Sequence, residues 1–193
     1  MTNRAGYVLT GGRSSRFGDN KALAQIDDKP MAVHVVDRIL PACQQVTLVG
    51  AKAVYGGLGL PVVEDSVEGF GPVAGMLAAL ESTSAEWNHV VACDMPNVTA
   101  EFSDWLFQRA EAGDADAVIP QDREGRPQPL CAVYRKSVAA PLLQSLEAGT
   151  RKVRLALDGI TIDYVAADEY GAIDPDGEML LNVNRPEDLA RYR

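Results

Sequence analysis

The stretch VLTGGRSSRFGDNK, residues Val8 to Lys21, runs a short apolar segment into a glycine pair followed by Arg13, Arg16 and Lys21. Adjacent glycines let a backbone approach a ligand closely and aim N–H groups at an anion. The arginines and the lysine add mobile positive charge that suits a triphosphate. Neither standard phosphate signature is satisfied. A Walker loop places lysine directly after its second glycine, whereas Asp19 follows Gly18 here. The dinucleotide fingerprint GxGxxG fails because Gly11 and Gly12 are adjacent. Two readings stand at this level: a phosphate cradle, or a tight strand-to-loop turn with solvated basic residues.

Two carboxylates bear on the choice. Asp65 follows Leu60-Pro61-Val62-Val63-Glu64, and Asp94 follows Val90-Val91-Ala92-Cys93. In an open parallel sheet, ligands bind outside the carboxyl ends of the strands, which would put Gly11, Asp65 and Asp94 along one edge. A carboxylate there, facing a basic loop, is a natural Mg²⁺ ligand bridging to phosphate oxygens. Each aspartate also has a plainer reading as a turn residue, because Asp94 precedes Met95-Pro96 and Asp65 lies beside Ser66 and Gly69.

The elements that must position these groups alternate. Strands are expected at Ala5–Leu9, Val46–Val49, Pro61–Val63, His89–Cys93, Ala117–Ile119, Leu130–Tyr134 and Ile160–Val165. Helices are expected at Met31–Leu40 with Pro30 at the start, Pro72–Glu81, a Thr99-capped stretch to Ala112, Ser137–Leu146, Arg151–Leu157 and Pro186–Arg191. Such alternation implies an α/β fold with three layers, α/β/α, around a mostly parallel sheet. No repeat, low-complexity tract or linker divides the chain.

Composition narrows the function classes. The net charge of -9 argues against a nucleic-acid partner, since such proteins present a basic face; a few local cations still suffice for a small anion. Cys43, Cys93 and Cys131 form no CxxC or Cys/His metal pattern and read as buried thiols of a reducing compartment. No apolar run approaches the ~18 residues of a membrane span, and no signal segment is recognisable. The expectation is a cytoplasmic protein with no membrane partner.

The residues carry a resemblance at this point. LTGGRSSRFGDNK resembles the LAGGxSxRMGxDK signature of nucleotidyltransferases that use a nucleoside triphosphate, and within them the molybdenum cofactor guanylyltransferases. VVEDS around Asp65, GPVAGM from Gly71 to Met76, ACDMP around Asp94 and LNVNRPEDL near the C-terminus support it in order. The resemblance implies a Rossmann-like nucleotidyltransferase fold forming a single domain, with a nucleotide-binding part at about 1–100 and a second-substrate part at about 101–193. It implies transfer of GMP from GTP to the phosphate of molybdenum-molybdopterin, with Mg²⁺, giving the guanine dinucleotide cofactor and pyrophosphate. Leu9, Thr10, Gly11 and Gly12 would border the guanine and phosphates, Lys21 would neutralise the triphosphate, Asp65 would contact the nucleotide and Asp94 would hold the metal. Asn182 and Asn184 would position the pterin or the reacting phosphates. Molybdoenzymes or cofactor chaperones are further partners that the resemblance admits.

Two departures stand out. The signature's aspartate before the lysine is Asn20 here, with Asp19 shifted by one, and Gly50 stands after the second strand where relatives can carry asparagine. A side-chain contact to the nucleotide would then be absent at position 50.

The implied chemistry is in-line attack by the pterin's phosphate oxygen on the α-phosphorus of GTP. Both reactants are anions, so the protein must cancel repulsion and align them. Metal on Asp94 would polarise the α-phosphate, while Lys21 and Arg16 would stabilise pyrophosphate. The nucleophile is already ionised, which leaves His34 and His89 as structural residues. Arg151 and Lys152 could grip the pterin's phosphate or be a solvated helix start. LTGG where a cytidylyltransferase relative resembles LAAG favours guanine, because a glycine at position 11 allows a larger purine or a tighter backbone approach. The alternatives are a cytidylyltransferase of the same cofactor, a sugar-phosphate or methylerythritol-type nucleotidyltransferase, and a non-catalytic nucleotide- or cofactor-binding partner of molybdoenzymes.

Overall fold

The computed structural model describes residues 3–11, 20–64 and 71–192. In chain order the described strands are β1 (Arg4–Leu9), β2 (Gln25–Ile26), β3 (Lys29–Pro30), β4 (Gln45–Val49), β5 (Val62–Val63), β6 (Trp87–Ala92), β7 (Ala117–Pro120), β8 (Cys131–Arg135) and β9 (Ile162–Val165). The α-helices are α1 (Met31–Ile39), α2 (Lys52–Tyr55), α3 (Pro72–Ser82), α4 (Ala100–Ala112), α5 (Ala139–Glu147) and α6 (Val153–Ala156).

Among the described residues, seven strands make one sheet in the order β5–β4–β1–β6–β8–β7–β9. β5, β4, β1 and β6 are mutually parallel, and β8 pairs antiparallel with both β6 and β7. The reversal follows from the connection: the short segment between Pro120 and Cys131 cannot hold the dozen or more residues of a crossover. It turns back through Gly125, whose φ of 74° suits glycine.

Side chains alternate across the sheet and fill two cores. Val8, Val91 and Val133 face α1 and α4, whereas Tyr7, Leu9, Val90 and Tyr134 face α3 and α5. The helix α1 buries Met31, Ala32, Val35, Val36 and Ile39, a stripe at helical spacing. The α3 helix is built of small residues and rides close to β1, since a Cβ at Gly75 would lie 3.4 Å from Leu9 Cδ2. At its start Gly71 has φ 60°, followed by Pro72 at the first helical position. Thr99 Oγ1 accepts the N–H of Phe102 at 3.2 Å and caps α4.

Several boundaries move from the sequence expectation. Strand β6 starts at Trp87 rather than His89, because Asn88 and His89 are buried inside the ladder between β1 and β8. The α-helix expected from Ser137 starts at Ala139 after a 3₁₀ turn, Lys136–Val138. A helix begun at Ser137 would need Pro141 to donate to the Ser137 carbonyl, and proline has no N–H. The helix expected over Arg151–Leu157 is confined to Val153–Ala156, since Lys152 is extended at its N-cap. The final Pro186–Tyr192 segment is 3₁₀ rather than α, with Asp188 accepting the N–H groups of Asn184 and Arg185.

Candidate active site

The carboxyl ends of β1 and β6 open into a cavity of about 470 Å³. Of the residues expected at the site, Leu9, Thr10, Gly11, Lys21, Asp94 and Asn182 line it. Gly12, Arg16 and Asp65 lie outside the described residues. The first residue of α3, Pro72, is also at the wall, so the positive end of that helix's dipole faces the space.

Lys21 and Asp94 meet at this edge, with Nζ 2.8 Å from Oδ2. Their side chains keep 13% and 23% exposure, enough for either to turn toward a ligand. Asn184 Oδ1 lies 3.5 Å from the same ammonium. The Val183 N–H donates to the Asp94 carbonyl at 2.8 Å, which seats the LNVN segment on the acidic residue.

The lysine turn is built locally. Asn20 Oδ1 accepts the N–H of Ala22 at 3.1 Å and caps the 3₁₀ turn Lys21–Leu23. Asn20 Nδ2 donates to Tyr55 Oη at 3.0 Å, and that hydroxyl reaches the Thr10 carbonyl at 3.2 Å. Thr10 is tied sideways, its Oγ1 donating to the Val49 carbonyl at 2.8 Å.

The glycine at position 50 has a steric cause. A Cβ there would collide with Thr10 Oγ1 and lie 2.8 Å from Tyr55 Cε2. Thr10 and Tyr55 therefore occupy the space where a side chain at position 50 would begin.

On the other wall, Gln128 lines the cavity. Its Nε2 donates to Asp122 Oδ2 at 3.1 Å, which turns the amide nitrogen to the carboxylate. Burial pushes the Asp122 carboxyl up, but hydrogen bonds from the Arg126 N–H, the Arg126 guanidinium and the Glu124 N–H outweigh it and hold it below the usual carboxylate range. Arg151 and Lys152 are exposed ahead of α6, and the neighbouring Val153 is the residue of that segment that reaches the cavity wall.

Two further candidates for chemistry are shut away. Cys93 is buried beside Asp94, and burial pushes its thiol up to about 12. His89 is fully buried against Phe107, its Nε2 3.9 Å from Cys131 Sγ, and burial lowers its pKa to about 3. Among the described residues, no group of three His, Cys, Asp or Glu side chains gathers as a metal site. No described helix is long and apolar enough to cross a membrane.

Sequence reasoning missed Tyr55 altogether. It ends a four-residue helix and reaches the site only through tertiary contacts, so no local pattern marks it.

Residues 6–160 match the MobA-like NTP transferase domain. The chain belongs to this family. A probable molybdenum cofactor guanylyltransferase of Bacillus cereus is 32% identical over 99% of the chain and 96% of its own length. The crystal structure of molybdopterin-guanine dinucleotide biosynthesis protein A from Archaeoglobus fulgidus superposes with a TM-score of 0.85 at 28% identity, covering 97% of this chain and 96% of that one. A 2-C-methyl-D-erythritol 4-phosphate cytidylyltransferase from Thermus thermophilus shares the fold, with a TM-score of 0.69 at 14% identity over 96% of this chain and 95% of that one. This MobA-like protein is thus a nucleotidyltransferase on a mostly parallel α/β sheet.

Proposed function

We propose that the chain transfers GMP from GTP to the phosphate of molybdenum-molybdopterin, releasing pyrophosphate. The observation that carries this reading is the Lys21–Asp94 pair at the carboxyl edge of the sheet, set at the cavity that Thr10 and Gly11 also line. An ammonium and a carboxylate in contact form a pre-assembled anchor for a triphosphate and its counter-ion.

The donor set fits magnesium. Mg²⁺ is typically bound through one or two carboxylates plus substrate phosphates and waters, so a partly exposed Asp94 suffices without a protein cage. Bound there, the metal would supply Lewis-acid polarisation of the α-phosphate. Lys21 releases Asp94 and turns to the phosphates, where it offsets the charge of the departing pyrophosphate. One phosphate oxygen of the acceptor forms a bond to the α-phosphorus while the bond from that phosphorus to the β-bridging oxygen breaks. The acceptor is already an anion, so no base is required, consistent with the burial of His89. Asn182 on the wall and Asn184 beside Lys21 align the acceptor.

Guanine is favoured by Gly11. Among the described residues nothing lies within 4 Å of where its Cβ would be, so packing within the described protein does not require glycine there. The space that the described residues leave there suits a large base. Buried Cys93 and Cys131 suit a reducing compartment such as the cytoplasm.

The test is to supply Mg²⁺, molybdenum-molybdopterin and each nucleoside triphosphate separately and to measure pyrophosphate. Release with GTP is expected. Release with CTP alone would overturn the base assignment, and release with none would overturn the reaction.

A further inference from the structure

We propose that Tyr55 is a positioning residue for Lys21, acting through Asn20. The inference rests on the reading that Lys21 meets the nucleotide's phosphates.

The hydrogen bonds define the arrangement. The Ala22 N–H can only donate, so the Asn20 atom 3.1 Å from it must be the carbonyl oxygen. The amide nitrogen of Asn20 is thereby turned to Tyr55 Oη, 3.0 Å away. The Tyr55 hydroxyl proton has two acceptors at 3.2 Å, the Thr10 carbonyl and Asn20 Oδ1. One oxygen thus connects the end of β1 to the residue that caps the lysine turn, though Tyr55 is 35 residues from Asn20 and 45 from Thr10.

The ring is as fixed as the hydroxyl. Tyr55 is 5% exposed, and its edge lies against Gly50, where a Cβ would come within 2.8 Å of Cε2. A ring so confined has little rotamer freedom to lose, and a buried hydroxyl with partners on both sides holds them in register. Lys21, on the capped turn, is then presented to Asp94 before any ligand arrives. Pre-ordering of this kind lowers the cost of binding, and it does so without Tyr55 touching the substrate.

The experiment compares the parent chain, Tyr55→Phe, Asn20→Ala and the double variant. Titration calorimetry with GTP and Mg²⁺, in the absence of acceptor, reads nucleotide affinity directly. Tyr55→Phe keeps the ring and is expected to weaken GTP binding by about three- to tenfold, the range for one lost hydrogen bond. In turnover, the KM for GTP should rise while the KM for the pterin stays at the parental value. The double variant should bind no more weakly than Asn20→Ala alone, because both changes cut one path. Parental GTP affinity in Tyr55→Phe, with or without a lower melting temperature, overturns the proposal, as does a double variant whose losses add. A parent that binds GTP but transfers nothing to the pterin overturns the acceptor assignment and leaves the role of Tyr55 standing; a parent that binds no nucleoside triphosphate overturns both.

Discussion

The main-chain N–H of Val183 donates to the main-chain carbonyl of Asp94, while the side chain of that same aspartate holds Lys21. The C-terminal segment and the charge pair thus meet at one residue, through different atoms. Changing the Asp94 side chain leaves the backbone bond available, which separates chemistry from folding.

Asp94→Ala should therefore lower kcat/KM for GTP by at least about 10²-fold, the scale for losing one charge-stabilising group in a transition state. The melting temperature should stay within a few degrees, because a partly exposed ion pair adds little stability. Pyrophosphate release across a Mg²⁺ titration checks this; parental turnover with unaltered Mg²⁺ dependence would remove Asp94 from the reaction.

Asn182→Ala should act on the acceptor alone. Asn182 is at the cavity wall, and among the described residues its side chain has no hydrogen bond to the lysine turn, so KM for the pterin should rise by about three- to tenfold and KM for GTP should hold. Steady-state kinetics with each substrate varied in turn decides it.

Gly50→Ala should cost about 1–3 kcal/mol of stability, the usual penalty for overpacking. The added methyl collides with Thr10 Oγ1 and presses on Tyr55. In a Thr10→Ala background the same change should cost less, since one of the two clashes is gone. Urea midpoints of the four proteins measure the difference, and equal penalties in both backgrounds would contradict the geometry.

His89 sets an acid dependence of stability. Its folded pKa, about 3, lies below the ordinary 6.5 because the ring is buried. Above pH 6.5 both states are neutral and its contribution is complete; as pH falls below 6.5 the unfolded chain binds a proton that the folded chain refuses. Stability is then lost progressively toward pH 3, by about 5 kcal/mol at most. Urea unfolding at pH 7 and pH 4.5 should show the loss in the parent and a smaller one in His89→Leu. Identical pH dependence in the two would exclude His89 as the source.

The legible parts of this fold are those where local pattern and burial agree. β1 and α1 carry apolar residues at the periods their faces require, so their positions follow from spacing. The start of β6 did not, because the buried Asn88 looks like a loop residue until neighbouring strands supply the ladder. The direction of β8 is set by the length of the connection rather than by its own residues. At the site, Gly11, Lys21 and Asp94 could be picked out from the sequence as candidates, and the structure brings all three to one cavity, yet the contact between Lys21 and Asp94 spans 73 positions and belongs to the tertiary structure. Tyr55 lay beyond reach because its role needs three separated segments brought to one oxygen. The glycine at 50 was visible only as a departure; its cause is a neighbour's hydroxyl.

Because β8 runs against the strands beside it, the cavity receives the residues that lead into that strand, Gln128, Pro129 and Leu130, rather than those that leave it. This hairpin hangs from two strands remote in sequence from the glycine-rich stretch and Lys21. Lengthening or rewriting it would reshape this wall of the cavity while leaving the lysine turn in place. The one inverted strand among the described residues thus gives this scaffold a replaceable part, a stretch of cavity wall that descendants could exchange without disturbing the opposite side.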